Sequence, residues 1–165
     1  MRILGIDPGL ATIGLGLIEA KDMYNITVLE WLTITTDSHT PFPQRIVEIA
    51  RDLSAFIDEA KPDLAVVEQL FFATNEQTAI AVAHARGVIV LTVAQKNIPL
   101  IEPAPLQLKS GLTGDGRADK RQIQDMLCHM LHLTEIPKPD DAADALALAV
   151  FGALKQQSSM LTKIT

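Results

Sequence analysis

The sequence predicts an α/β fold built on a five-stranded mixed sheet. Three short apolar segments, 2–6, 13–19 and 25–34, follow one another closely, which is typical of an antiparallel meander. Two further apolar segments, 63–67 and 99–102, each follow a long stretch with helical character, which is typical of parallel strands joined by helices. We therefore expect a sheet that is antiparallel at one edge and parallel beyond it.

The remaining segments are predicted to be helices that flank this sheet. Apolar residues recur at helical spacing over 44–60, and a second long helix is expected over about 75–96, after a candidate capping box at Thr74–Gln77. Three shorter helices are predicted near 105–111, 119–132 and 140–155, and a glycine-rich turn over 111–116 separates the first two.

The composition is that of one folded domain. The chain has 165 residues, of which 48% are hydrophobic, so it can bury a sizeable core. We expect a single domain over 1–156 and a short tail over 157–165. The first residues enter a strand pattern at once, so no signal peptide is expected. The one cysteine, Cys128, fits a reducing cytosol, and we expect a cytoplasmic protein.

The longest apolar run of the sequence does not predict a membrane segment. It is interrupted by His84 and Arg86 and is shorter than a bilayer span, so no membrane partner is expected. The net charge is −6, which alone argues against a nucleic-acid partner. Residues 84–121, however, carry six Lys or Arg residues and three acids, a local charge of +3.

Acidic residues stand where predicted elements begin or end. Asp7 ends the first strand, and Glu68 follows the fourth. If these strands are parallel neighbours, both carboxylates emerge at one edge of the sheet, where open α/β sheets bind ligands. Asp141 and Asp144 are three residues apart on the last predicted helix, so they share one face and can dock over the strand ends.

Each acid alone has an ordinary structural explanation. An aspartate before Pro-Gly is usually a turn residue, a glutamate after a strand is usually solvated, and Asp140 suits a helix cap. The joint case is stronger, because Glu68 follows Ala-Val-Val and Asp144 precedes an apolar helix, so both should be largely buried. Buried acids need a partner, and the sequence shows no matching set of buried cations. We therefore expect a bound cation.

The spacing of the last acids leaves one choice open. Both Asp140 and Asp141 lie within one helical turn of Asp144, so spacing alone does not decide which accompanies it. Asp141 and Asp144 continue one apolar stripe with Ala145 and Leu148, which favours Asp141 as the ligand and Asp140 as the cap.

A site made only of carboxylates selects hard divalent ions such as Mg²⁺ or Mn²⁺. The four histidines and Cys128 do not form a zinc spacing. Carboxylate sites with two Mg²⁺ ions about 4 Å apart commonly stabilise in-line attack at phosphorus. We therefore expect two Mg²⁺ ions, for which Mn²⁺ would substitute.

Four motifs carry a resemblance to a known family. They are ILGIDPG at 3–9, VVEQLFF at 66–72, LKSGLTGDGRADK at 108–120 and DDAADALALA at 140–149. In this order and spacing they resemble the RuvC family, bacterial endodeoxyribonucleases that cut crossover (Holliday) junctions and have a ribonuclease-H-like fold. The resemblance extends from residue 3 to about residue 150.

The resemblance implies a Mg²⁺-dependent homodimer that acts in recombination and repair. It would nick two strands of a four-way DNA junction symmetrically, leave 5′-phosphates, and work with a branch-migration motor and its junction-binding subunit. It also implies site roles. Those residues are the metal-binding acids Asp7, Glu68, Asp141 and Asp144, the base-contacting aromatic Phe71, and the basic residues Lys109 and Lys120 near the scissile phosphate.

Basic and aromatic residues near these motifs fit DNA binding. Lys109, Arg117, Lys120 and Arg121 lie within thirteen positions, and the intervening glycines suit a loop that closes on a phosphate backbone. A solvated helix face is the ordinary alternative. The aromatic pair following Glu68 can stack on unpaired bases or pack in the core; we assign stacking to Phe71 first and Phe72 second.

Two other function classes are alternatives to a junction endonuclease. Actin-like ATPases and sugar kinases also open with an aspartate and a glycine after the first strand, but they need two copies of the fold, and 165 residues hold one. A catalytically silent junction-binding module is the third class, and the presence of all four acids argues against it. For the homodimer, the helix over 75–96 is predicted to form the interface, because Gly87 allows close approach of two backbones.

Overall fold

The computed structural model describes residues 1–22, 24–70 and 76–162. The chain forms one sheet with helices on both faces. The strands are β1 (Arg2–Asp7), β2 (Thr12–Ala20), β3 (Ile26–Thr35), β4 (Leu64–Val67) and β5 (Leu100–Ile101). The helices are α1 (Phe42–Ala60), α2 (Glu76–Gln95), α3 (Pro105–Thr113), α4 (Lys120–Leu131) and α5 (Asp140–Thr162).

The strand order is β3-β2-β1-β4-β5. The first three strands form an antiparallel meander, whereas β1, β4 and β5 run parallel. The register pairs Ile6 of β1 with Val67 of β4, so the residues that follow these two positions lie side by side at one edge. The predicted mixed sheet is confirmed in both its antiparallel and its parallel parts.

Two hydrophobic cores lie on the two faces of the sheet. One joins alternate residues of the strands, such as Ile3 and Val66, to α5 and α4. The other joins the intervening residues, such as Leu4 and Val67, to α1 and α2. Because side chains alternate between the faces of a strand, both faces of β1 and β4 are apolar and these central strands are buried on both sides.

Glycines set the distance between α5 and the sheet. A Cβ atom built on Gly5 would lie 1.9 Å from the carbonyl oxygen of Ala145, and one built on Gly14 would lie 1.9 Å from that of Asp141. A Cβ atom built on Gly16 would lie 2.6 Å from the backbone nitrogen of Leu146. The helix therefore rests on β1 and β2 with main chain against main chain, which only glycine permits.

The helix bounds differ from the predicted ones at two places. α5 extends to Thr162 instead of ending near residue 155. α3 extends to Thr113, so Gly111 is helical and contacts the Phe151 ring, and the glycine-containing connection begins at Gly114 with a left-handed backbone. In the described part of the chain, no helix is both long and apolar enough to cross a membrane.

Candidate active site

A cavity of about 210 Å³ opens where β1 and β4 end, beneath α5. It combines three carboxylates and two lysines with an apolar wall. The lining residues are Asp7, Glu68, Asp144, Lys109, Lys120, Pro105, Leu108, Ile123, Ala147 and Leu148. Acids and bases from five different parts of the chain therefore meet in one small volume.

The fold explains why these acids meet. Asp7 is the last residue of β1, and Glu68 directly follows β4, so the parallel register places the two residues at the same edge of the sheet. Asp144 precedes Ala145, whose carbonyl group touches Gly5 of β1. The close contact between the two backbones brings the first turns of α5 over the strand ends.

The carboxylates raise one another's affinity for protons. Burial, and then the charges of Asp144, Asp141 and Glu68, raise the pKa of Asp7 to about 7. Burial is also the main cause that raises the pKa of Glu68, followed by the charge of Asp144. The pKa of Asp144 is raised by burial, although Lys120 opposes this shift. The four predicted acids thus lie close enough to repel one another.

Burial and charge pairing differ from the predictions. Glu68 and Asp144 are half-buried rather than largely buried. The sequence predicted no matching set of buried cations, and the cation that lies beside the acids is an exposed one: Lys120, whose side chain is 52% exposed, has its Nζ 3.3 Å from Asp144 Oδ2. Lys120 comes from the beginning of α4, which is distant in sequence, so local patterns could not reveal the pair.

Asp140 and Asp141 have different environments. Asp140 is the first residue of α5, not a cap preceding it, and its carboxylate lies 3.1 Å from Lys120 Nζ. The prediction of a capping role was therefore wrong. Asp141 is not among the residues that line the cavity, but its charge contributes to the raised pKa of Asp7.

The acids suit a metal ion by their chemistry more than by their present spacing. Among the described residues, no three His, Cys, Asp or Glu side chains converge closely enough to hold an ion. The available donors are all carboxylate oxygens, which hard divalent ions prefer, and their mutual repulsion would be relieved by a cation.

Comparisons with known proteins identify the family. The family model described as "Crossover junction endodeoxyribonuclease RuvC" matches residues 3–152. The chain is 51% identical over 150 residues to the RuvC protein of Alkaliphilus oremlandii, with 91% of each chain covered. It is 46% identical over 158 residues to that of Caldicellulosiruptor saccharolyticus, which covers 96% of this chain and 95% of the relative. The chain belongs to the RuvC family.

A solved structure supports the same assignment. RuvC of Thermus thermophilus in complex with Holliday junction substrate has a TM-score of 0.90 and 29% identity, with 96% of each chain covered. The fold is therefore the ribonuclease-H-like fold of RuvC, as the resemblance implied. As a RuvC protein, the chain is a crossover junction endodeoxyribonuclease, and this family of nucleases is metal-dependent.

The basic residues predicted to bind DNA surround the RuvC cavity to different degrees. Lys109 and Lys120 line it, whereas Arg117 and Arg121 are exposed beside it, in the connection before α4 and in its first turn. Asp119 caps α4 by accepting a hydrogen bond from the Gln122 N–H at 2.9 Å. The predicted aromatics Phe71 and Phe72 lie outside the described residues.

One contact beside the RuvC site was not foreseen from the sequence. Arg86, on α2, donates a hydrogen bond from Nε to the carbonyl oxygen of Glu68 at 2.8 Å, and its terminal nitrogen pairs with Glu102. The available signal was a single arginine within an otherwise apolar helix, which charged residues enter only with a partner.

Proposed function

We propose that this RuvC enzyme resolves four-way DNA junctions by paired symmetric nicks, with two Mg²⁺ ions at the carboxylate site of each protomer. The observation that carries the proposal is the convergence of Asp7, Glu68 and Asp144 with Lys109 and Lys120 in one cavity at the strand ends. The Thermus thermophilus relative, whose structure contains a Holliday junction substrate, supports the choice of DNA.

The proposed metal ligands are Asp7, Glu68, Asp141 and Asp144. Bound Mg²⁺ would activate the attacking water and stabilise charge on the phosphate and on the leaving 3′ oxygen, and Mn²⁺ would substitute for it. Asp7 and Glu68 extend from the sheet, and Asp144 extends from α5, so the ligands approach from two sides. Asp141 completes the set from the preceding helical turn.

Hydrolysis attaches the water oxygen to phosphorus and breaks the bond to the 3′ oxygen, which leaves a 5′-phosphate. Lys120 and Lys109 can donate hydrogen bonds to the non-bridging oxygens of the scissile phosphate, because both line the cavity beside the acids. These contacts stabilise the negative charge that grows in the transition state. Lys120 would exchange its contact with Asp144 for one with the phosphate.

The proposed DNA surface extends from the cavity along the beginning of α4. Arg117 and Arg121 are exposed there and can neutralise backbone phosphates without reading sequence. Phe71 and Phe72 follow Glu68 in the chain, and we assign to Phe71, with Phe72 second, stacking on bases at the opened crossover.

The proposed dimer interface is the exposed stripe of α2. Ile80, His84, Gly87 and Leu91 are all exposed and recur at helical spacing. Ile80 and Leu91 are 64% and 55% exposed, and in the described part of the chain nothing lies within 4 Å of a Cβ atom built on Gly87. Such a stripe suits a two-fold contact with a second copy, which would present two equivalent sites to the two equivalent strands of a junction.

Partner proteins complete the proposal. We propose that the enzyme works with a branch-migration motor and the junction-binding subunit of that motor. They would act together in the cytoplasm during recombination and repair. The net charge of −6 gives such partners a physical role, because they would hold the junction near a protein that is acidic outside residues 84–121.

One assay tests the function directly. Purified protein is incubated with an end-labelled four-way junction, with a linear duplex of the same arms, or with ATP, each with and without Mg²⁺. We expect two symmetric nicks in the junction, products that a ligase can seal, and no ATP hydrolysis. Equal cutting of the linear duplex, or junction binding without cleavage in either Mg²⁺ or Mn²⁺, would contradict the proposal.

A further inference from the structure

We propose that Arg86 is a positioning residue for catalysis, which orients Glu68 for metal binding by holding its main-chain carbonyl group. This inference rests on the proposed role of Glu68 as a metal ligand. Arg86 belongs to α2, is not among the residues that line the cavity, and contacts Glu68 and Glu102.

The first support is the geometry of the arginine. Its Nε donates to the Glu68 oxygen at 2.8 Å, while a second nitrogen of the same guanidinium pairs with Glu102. The side chain of Arg86 is only 18% exposed. A planar group with two anchored nitrogens has little rotational freedom, so it fixes the carbonyl group that it contacts.

The second support is the bonding of the next residue. The Gln69 N–H donates to the Pro103 carbonyl group at 2.9 Å, and Gln69 Nε2 donates to the Glu102 carbonyl group at 2.8 Å. Glu102 is therefore contacted twice, through its carboxylate by Arg86 and through its main chain by Gln69. Arg86, Glu102 and Gln69 form a closed set of contacts around the peptide that follows Glu68; we call it the clasp.

The clasp lies where the sheet no longer fixes the chain. β4 ends at Val67, and β5 consists of only two residues, so Glu68 lies beyond the paired strands. The direction of a side chain depends on the orientation of its own backbone. Without Arg86, the peptide after Glu68 could rotate and turn the carboxylate away from Asp7. Contacts of this kind commonly change metal affinity or activity about 10- to 100-fold.

The chain offers a matched control for the loss of Arg86. Lys96, which directly follows the last residue of α2, forms an ion pair with Asp58 of α1 at 2.6 Å. Lys96→Gln removes a cation and an ion pair at the end of the same helix, and among the described contacts Lys96 has none with Glu68. Arg86→Gln and Lys96→Gln therefore separate orientation of Glu68 from general anchoring of α2.

Two measurements test the proposal, on Arg86→Gln, Arg86→Lys and Lys96→Gln. The first is amide hydrogen exchange at Gln69 without metal, which should rise at least about 10-fold in Arg86→Gln. The second is the Mg²⁺ concentration for half-maximal single-turnover cleavage. It should rise about 10-fold in Arg86→Gln, with the rate partly restored at high Mg²⁺. Arg86→Lys should be intermediate, because an ammonium lacks the planar fork, and Lys96→Gln should match the parent in both.

The outcomes distinguish this inference from the proposed function. An unchanged Mg²⁺ midpoint in Arg86→Gln, or an equal shift in Lys96→Gln, would overturn the positioning role. Glu68→Gln serves as the reference. If Glu68→Gln itself cleaves with an unchanged Mg²⁺ midpoint, the assignment of Glu68 as a ligand fails, whatever Arg86→Gln shows.

Discussion

The ammonium group of Lys120 lies 3.3 Å from a carboxylate oxygen of Asp144, on the wall of the cavity that holds Asp7 and Glu68. The same nitrogen lies 3.1 Å from Asp140. Because more than half of the lysine side chain is exposed, this pairing is weak and easily exchanged. Lys120 therefore lies where an incoming phosphate and a metal ion would both change its contacts.

The first prediction compares two neighbouring basic residues. Lys120→Ala should lower the cleavage rate of bound junction about 100-fold and change junction affinity little, because its contact matters most in the transition state. Arg121→Ala should instead weaken binding a few-fold and reduce the salt slope by about 1. Single-turnover rates and binding titrations at several salt concentrations measure both. If both variants lost binding equally and cleaved normally at saturating protein, Lys120 would contribute to DNA binding and not to catalysis.

The second prediction concerns the three aspartates of α5. Asp144→Asn and Asp141→Asn should each lower Mg²⁺-dependent cleavage at least about 100-fold while junction binding persists, because an amide is a poor ligand for Mg²⁺. Asp140→Asn is the control and should remain active, since Asp140 does not line the cavity and its contact among the described residues is with Lys120. If Asp140→Asn were inactive and Asp141→Asn cleaved normally, the metal ligand would be Asp140 and not Asp141.

The third prediction is a pH dependence of stability without metal. The pKa of Asp7 is about 7 in the folded protein and 3.8 as a free side chain, so the folded state favours the protonated form. Stability from this group is fully present below about pH 4 and is lost as the pH rises through about 7. The measurement is the fall in melting temperature between pH 6 and pH 8.5 in EDTA. This fall should be about 3–6 °C larger for the parent than for Asp7→Asn.

Magnesium provides a check on that result. Mg²⁺ should raise the melting temperature of the parent more at pH 8.5 than at pH 6, because protons compete with the metal for the carboxylates. Identical pH profiles for the parent and Asp7→Asn would show that Asp7 does not carry the effect.

The fourth prediction addresses the contact between α5 and the sheet. Gly14→Ala would place a Cβ atom 1.9 Å from the backbone oxygen of Asp141, so the beginning of α5 must move. We expect a loss of about 3 kcal/mol in the free energy of unfolding and a much larger proportional loss of cleavage. Gly116→Ala is the control for unfolding, because its Cβ would lie 3.5 Å or more from its neighbours. Denaturant unfolding compares the two variants, and cleavage assays compare Gly14→Ala with the parent.

The fifth prediction concerns assembly. Leu91→Glu puts a charge in the exposed stripe of α2 and should convert a dimer into a monomer near 17.9 kDa in light scattering. Val47→Glu is the matched control, because Val47 is 65% exposed on α1 and is not part of that stripe. A parent protein that is a stable, active monomer would contradict the proposed interface.

The sequence predicted the sheet well because its signals are local. Alternating and continuous apolar segments marked all five strands, and the parallel direction of the later strands followed from the helices between them. Asp7 and Glu68 could be placed together because Asp7 ends one parallel strand and Glu68 directly follows another. Their meeting with Asp144 could be predicted because α5 carries its acids at its beginning.

The remaining features depend on contacts between distant residues. Lys120 reaches Asp144 from another helix, and Arg86 reaches Glu68 from α2, and no local pattern encodes either distance. Asp140 was misassigned because a helix beginning is defined by backbone geometry to within only a residue or two. The half-burial of Glu68 and Asp144 reflects the cavity beside them, which apolar neighbours in the sequence did not reveal.

The glycine contacts imply that changes at these glycines and exchanges of aliphatic core residues affect the site differently. The height of α5 above the sheet is fixed by main-chain atoms at Gly5, Gly14 and Gly16, so side chains elsewhere in the core do not determine it. Exchanges of one aliphatic residue for another can then accumulate in both cores while the spacing of the acids persists. The fold can therefore superpose on a relative of 29% identity with a TM-score of 0.90. The distance between α5 and the sheet is set by three glycines, which have no side chains.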